Sequence, residues 1–291
     1  MSTYASNAMP APVYGRQSLM AGTEPSSMPH VDAWQRSPHT LRDPANRFDV
    51  VEGGRRDANT ASPLVPFAAA RPASWSPVSA PHQAAVVEQY RRLAAALLHA
   101  NVERGVKVVM IASSVGGEGK SLTAANLAVT LARSYGRQTL LVDADLRSPR
   151  LHEIFHEANT SGLGDWLRCG GAAGAATVQL LPGLTLLTAG RPTGDPMAGL
   201  TSAGMRALMK IASDAYDFVV VDTPPATLVP DAGILADLVD AAVLVIRANS
   251  TPHAVIERAI ATIGRERILG TVLNRADKMS VGRYGYGYPG K

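Results

Sequence analysis

The sequence predicts an α/β domain: a mostly parallel sheet flanked by helices, preceded by a long disordered N-terminal segment. Three observations carry this. Runs that are apolar at nearly every position recur between residues 106 and 274, helical patterns separate them, and residues 1–81 show neither. A strand of unbroken Val, Ile and Leu is buried on both faces, as happens when crossover helices cover both sides of a parallel sheet.

Residues 1–81 contain 11 of the 20 prolines, mixed with Ser, Ala, Gly and Met. Such a segment buries too little apolar area to offset its chain entropy, so a disordered linker or tether is expected there. The domain is expected over 82–275. It opens with "AAVVEQYRRLAAALLHAN", which places Val86, Tyr90, Leu93, Leu97 and Ala100 at helical spacing. Strands are expected at 106–113, 138–145, 184–190, 217–223, 241–248 and 268–274. Between them, helices are expected at 120–134, 202–214, 231–238 and 252–264. Residues 276–291 lack either period and read as a flexible, Tyr-rich tail.

Bulk composition narrows the function classes. The net charge of +4 divides into +1 over residues 1–81 and +3 over the rest, with no Lys/Arg block, which argues against a nucleic-acid partner. Cys169 is the only cysteine, which excludes an internal disulfide framework or a four-cysteine metal site and points to a reducing, cytoplasmic compartment. Neither a signal peptide nor an apolar run of about 18 residues is present, so no direct membrane span is expected.

The chemistry is concentrated at strand ends. The first strand runs into "ASSVGGEGKSLTAANLAVTLA", a glycine-rich turn that opens a helix. Gly116, Gly117 and Gly119 let backbone amides approach a polyphosphate, and the helix N-terminus adds positive potential. Lys120 is placed to neutralise the β- and γ-phosphates, Ser121 offers a hydroxyl to Mg²⁺, and Glu118 and Leu122 complete the loop. The stretch reads as the phosphate loop of a P-loop NTPase, with Ser114 where the strict pattern has glycine. In "LLVDADLRSPRLH", Asp143 and Asp145 point to one face at the C-terminal end of a buried strand, where ligands of parallel sheets bind. Two carboxylates buried there need a shared cation or a proton donor. "DFVVVDTPP" ends a third strand on Asp222, the expected Mg²⁺-side carboxylate.

Together with "YDFVVVDTPPATLVPDA" and the closing "YGYGYPGK", these motifs resemble the bacterial tyrosine autokinases of capsule and exopolysaccharide assembly, over residues 84–291. The resemblance implies ATP and Mg²⁺ as cofactors, with Lys120 and Ser121 in the Walker A motif. It places Asp143 and Asp145 in a second, A-prime motif and Asp222 in Walker B. It implies phosphorylation of Tyr284, Tyr286 and Tyr288, usually by a neighbouring subunit of a homo-oligomer. A separate membrane-anchored protein that governs polysaccharide chain length is the implied activator, recruiting the kinase to the inner face of the plasma membrane. Relatives pack into rings through a Glu-x-x-Arg-x-x-Arg helix; here the positions are Glu88, Arg91 and Ala94.

Lys120, Asp143 and Asp145 are therefore the expected catalytic residues, with Asp143 preferred as acceptor of the tyrosine proton. Ser121, Asp143 and Asp222 are the expected metal ligands. Asn274, at the last strand end, is a candidate for the adenine edge. All strands of a parallel sheet end on one side, so the 17 residues after Asn274 leave on the phosphate-loop edge and span up to about 50 Å. Two other readings stay open. A septum-positioning or partition ATPase needs a signature Lys where Val115 stands; a nucleotide-dependent adaptor of a polysaccharide export complex needs little kinase activity.

Overall fold

Eight strands among the described residues form one sheet. A computed structural model describes residues 64–66, 83–170 and 175–276, all within one compact unit, Asp57–Lys291. The strands are β1 Leu64–Pro66, β2 Val108–Ser113, β3 Thr139–Asp143, β4 Ala175–Leu181, β5 Leu184–Leu187, β6 Phe218–Asp222, β7 Ala241–Arg247 and β8 Ile268–Asn274. In the sheet order β1-β4-β5-β3-β6-β2-β7-β8, neighbouring strands pair in parallel except β4 and β5, which are antiparallel.

The central strands feed two cores by their period of two. Val108, Met110 and Ala112 of β2 enter one core, and Val109 and Ile111 enter the other. Leu140 and Val142 likewise separate from Leu141, and Val219 and Val221 from Phe218 and Val220. One face is covered by α1 Gln83–Arg104, α2 Lys120–Tyr135 and α3 Leu151–Phe155. The other carries α4 Leu163–Arg168, α5 Pro196–Leu200, α6 Ala203–Ala215, α7 Asp231–Ala236 and α8 His253–Ile263. Each buried Val, Ile or Leu contributes about 1.5–3 kcal/mol of transfer free energy, so strands with no polar face are the main stabilising element.

The α2 helix fixes the site to this frame. Its buried face is rich in alanine (Ala124, Ala125, Ala128 and Ala132), which lets the helix lie close on the sheet. It starts at Lys120 after Gly119, whose φ of 97° favours glycine, and it stops at Gly136, whose amide bonds back to Ala132.

The structure departs from expectation in three places. The run 175–187 forms a hairpin, β4 and β5, where a single strand over 184–190 is expected, because Pro182-Gly183 turns the chain with Gly183 at φ 82°. The helices α3, α4 and α5 have five or six residues, too few to show a period. Leu64–Pro66 pairs with β4 inside the segment expected to lack order. Tyr284, Tyr286 and Tyr288 lie outside the described residues.

Candidate active site

Three adjacent strands, β3, β6 and β2, end on one edge. The register puts Asp143 directly opposite Asp222, and the phosphate loop follows β2. The loop after β6 is tied to it: Ala226 N–H donates to Ser113 O at 2.8 Å, and Thr227 Oγ1 donates to Ser114 O at 2.7 Å.

Lys120 stands at the centre, 9% exposed. Its Nζ donates to Asp145 Oδ2 at 2.9 Å and lies 3.6 Å from Asp222 Oδ1 and 3.3 Å from Ser121 Oγ. Burial alone would lower the ammonium pKa; the charges of Asp222 and Asp145 outweigh it and raise the value. The raised value keeps Lys120 cationic near neutral pH.

The three carboxylates differ in their partners. Asp145 Oδ1 accepts the Ser148 amide at 3.0 Å while Oδ2 holds Lys120. Asp143 Oδ2 accepts the amides of Arg150 and Leu151 at 3.1 and 3.0 Å, anchoring the start of α3, while its Oδ1 is buried with no hydrogen bond. Burial, then the charge of Asp222, pushes Asp143 up to about 7. Among the described residues neither carboxylate oxygen of Asp222 makes a hydrogen bond, Lys120 standing 3.6 Å from Oδ1, and burial pushes it up to about 6 against the opposing charge of Lys120. Acceptor oxygens kept dry and unpartnered beside a lysine suit a divalent cation. Mg²⁺ takes one or two carboxylates together with nucleotide phosphates and water, which these residues with Ser121 can supply.

A pocket of about 640 Å³ opens above the loop, lined by Gly116, Gly117, Gly119, Lys120, Ser121 and Asp145 on its polar side. Arg147, Ser148, Arg150 and Glu153 add further polar groups, and Leu122, Ile154, Pro224, Pro225, Leu228 and Val229 supply its apolar lining. Leu122 and Leu228 are 50% and 65% exposed there. The arrangement can hold a polyphosphate at the loop and present apolar surface beside it.

Arg147 and Asp231 carry no motif that marks them in the sequence. Their bidentate pair, Nε to Oδ2 at 2.8 Å and Nη2 to Oδ1 at 3.1 Å, ties the turn after β3 to the start of α7. Nothing in "LLVDADLRSPRLH" or "VPDA" predicts that they meet.

The other site expectations fall in different places. Glu118 belongs to the loop, yet its side chain is buried and it does not line the pocket. The Asn274 amide is engaged with protein: Nδ2 donates to Glu118 O at 2.8 Å and Oδ1 accepts Arg275 N–H at 2.9 Å. Thus Asn274 braces the loop from the end of β8. Glu88 and Arg91 form an ion pair at 3.6 Å on the exposed face of α1, away from the pocket lining. Ala94 is fully buried. No helix among the described residues is long and apolar enough to cross a membrane.

Residues 109–283 match the family described as the CobQ/CobB/MinD/ParA nucleotide binding domain. The chain is 40% identical over 203 residues to the tyrosine-protein kinase YwqD of Bacillus subtilis, covering 68% of this chain and 85% of that one. It is 34% identical over 185 residues to the succinoglycan biosynthesis transport protein ExoP of Rhizobium meliloti, covering 61% of this chain and 23% of that longer one. The kinase domain of the Escherichia coli tyrosine kinase ETK superposes with a TM-score of 0.61 at 29% identity, covering 69% of this chain and 80% of that domain. With the phosphate loop, the buried lysine and three carboxylates on one sheet edge, these likenesses make the chain a member of the CobQ/CobB/MinD/ParA nucleotide-binding family and, within it, of the bacterial tyrosine-protein kinases.

Proposed function

We propose that this kinase transfers the γ-phosphoryl group of ATP to Tyr284, Tyr286 and Tyr288 and thereby regulates exopolysaccharide or capsule polymerisation and export. One observation carries the reading most: Lys120 is buried and charged among Asp145, Asp222 and a glycine-rich loop, a constellation suited to a polyphosphate bearing a metal ion.

In the proposed reaction the loop amides of 116–121 and the N-terminus of α2 bind the phosphates, and Lys120 leaves Asp145 to meet the developing negative charge. Ser121 and Asp222 would hold Mg²⁺, which when bound would supply positive charge to the phosphates. Asp143 keeps one oxygen on α3 and offers the other to the tyrosine hydroxyl. A carboxylate pushed to about 7 by burial is a better proton acceptor near neutrality than one at about 4. The tyrosine oxygen bonds to the γ-phosphorus, the bond to the β–γ bridging oxygen breaks, the proton passes to Asp143, and ADP leaves.

The relative ExoP is named for succinoglycan biosynthesis and transport. A separate membrane-anchored chain-length protein is the partner we assign, holding this cytoplasmic kinase at the inner face of the plasma membrane, with homo-oligomer contacts through Glu88 and Arg91.

The test is an anti-phosphotyrosine blot of the purified chain with ATP and Mg²⁺, with and without the cytosolic segment of its activator. Lys120→Ala and a variant with all three tail tyrosines replaced by Phe stand beside it. Signal in the wild type alone supports the reading. Undiminished signal in the triple-Phe variant moves the acceptor elsewhere, and a silent wild type with activator present overturns the kinase assignment.

A further inference from the structure

Glu118 stands inside the phosphate loop, yet it is 1% exposed, and among the described residues no cation pairs with it. Donors surround it instead. Its Oε2 accepts the Val115 amide at 2.9 Å; its Oε1 accepts the Arg247 amide at 3.3 Å and the Thr251 hydroxyl. Its carbonyl accepts Asn274 Nδ2 at 2.8 Å. Val115 begins the loop, Arg247 ends β7, Thr251 precedes α8 and Asn274 ends β8. One residue thus fastens the loop both to itself and to two neighbouring strand ends.

A glycine-rich loop has no strong preference for any one shape, because Gly populates positive and negative φ about equally. This loop holds Gly117 at φ 80° and Gly119 at φ 97°. Tertiary contacts must select those values. Around Glu118 the loop amide of Val115, the Arg247 amide and the Thr251 hydroxyl all serve as donors, so the site calls for a group that only accepts, which an ionised carboxylate is and an amide is not.

We propose that Glu118 and Thr251 form a latch that presets the phosphate loop for nucleotide, making Glu118 a positioning residue that touches neither substrate. The proposal rests on the nucleotide-binding half of the function above and not on the kinase half. Breaking the latch makes the loop sample other shapes, so nucleotide affinity falls by the fraction of chains that retain the competent one.

The experiment uses the full chain and fluorescent ADP with Mg²⁺ as probe, together with KM for ATP, kcat and a thermal melt for each variant. Glu118→Gln and Thr251→Val are each expected to weaken Mg²⁺·ADP by roughly 10–100-fold, the range for a hydrogen bond to a charged group. KM for ATP should rise in parallel while kcat at saturation is retained. Thr251→Ser should restore wild-type affinity, and the Gln/Val double variant should bind no worse than the weaker single one. Wild-type affinity in folded Glu118→Gln and Thr251→Val overturns the latch, as does equal weakening by Thr251→Ser and Thr251→Val. If Glu118→Gln fails to fold, the Ser and Val pair decides. A wild type that binds no nucleotide overturns both latch and function; unchanged binding in the variants overturns the latch alone.

Discussion

Asp222 has no exposed surface and no hydrogen bond to either carboxylate oxygen. Asp143, opposite it on the next strand, has one oxygen in the same condition. Without metal and nucleotide the fold therefore favours their protonated forms, with values near 6 and 7 against about 4 in an unfolded chain. Between those limits the folded state binds more protons than the unfolded one, so stability is highest at the acid end of the window and is lost as pH rises from about 4 to about 7. Asp143→Asn removes this titration and keeps an acceptor for the Arg150 and Leu151 amides. In metal-free, nucleotide-free buffer its Tm relative to wild type should rise between pH 5 and pH 8, at roughly 2–4 °C for each kcal/mol recovered. A flat difference across that range sinks the assignment of Asp143 as the titrating group. Asp222→Asn should stabilise the free chain similarly but lose the Tm gain that Mg²⁺·ADP confers on wild type.

Among the elements, α2 depends on how it starts. A Cβ on Gly119 would lie 2.1 Å from Asn274 Nδ2, and its φ of 97° is strained for any L side chain. Gly119→Ala should reduce autophosphorylation about 100-fold, as displacement of a positioned group does, and Asn274→Gly added to it should recover only part, because the clash is relieved and the backbone strain is not. A second link joins elements that are distant in sequence. Arg147→Ala leaves Asp231 buried without its cation, so Tm should fall, and Asp231→Asn in the same chain should recover part of the loss. The sheet and the loop were legible in the sequence because unbroken apolar runs and a Gly-Gly-Glu-Gly-Lys-Ser turn carry their physics locally. The β4–β5 hairpin was hidden by apolar residues on both sides of one Pro-Gly, and α3, α4 and α5 by their length. The type of Glu118 was visible but not its direction: whether a carboxylate turns to the pocket or to Thr251 is decided by the β7–α8 turn, 133 residues later. The same holds for Asn274, whose position at the loop edge was legible and whose bond to the Glu118 carbonyl was not.

For the whole molecule, the sheet decides where the proposed acceptor segment departs. β8 ends at Asn274, beside Glu118 of the loop, and 17 residues follow. Extended, they span up to about 50 Å, enough for the chain's own site or for that of a second copy. The choice between them depends on how well copies associate. On α1 the exposed Glu88 and Arg91 are available for such a contact, but they already face each other at 3.6 Å, and Ala94, in place of a second arginine, is fully buried. An interface resting on so few charges is weak, because exposed ion pairs contribute only about 0–1 kcal/mol. Mixing Lys120→Ala chains, whose tails are intact, with triple-Phe chains, whose active sites are intact, isolates the intermolecular reaction. Phosphotyrosine is expected on the Lys120→Ala chain. For weakly associating copies its rate per chain should fall about tenfold on tenfold dilution, as mass action requires, and fall further with Glu88→Ala and Arg91→Ala in both partners. A Lys120→Ala chain that stays unmodified at every concentration, while wild type modifies itself at a rate independent of dilution, would place each tail in its own active site.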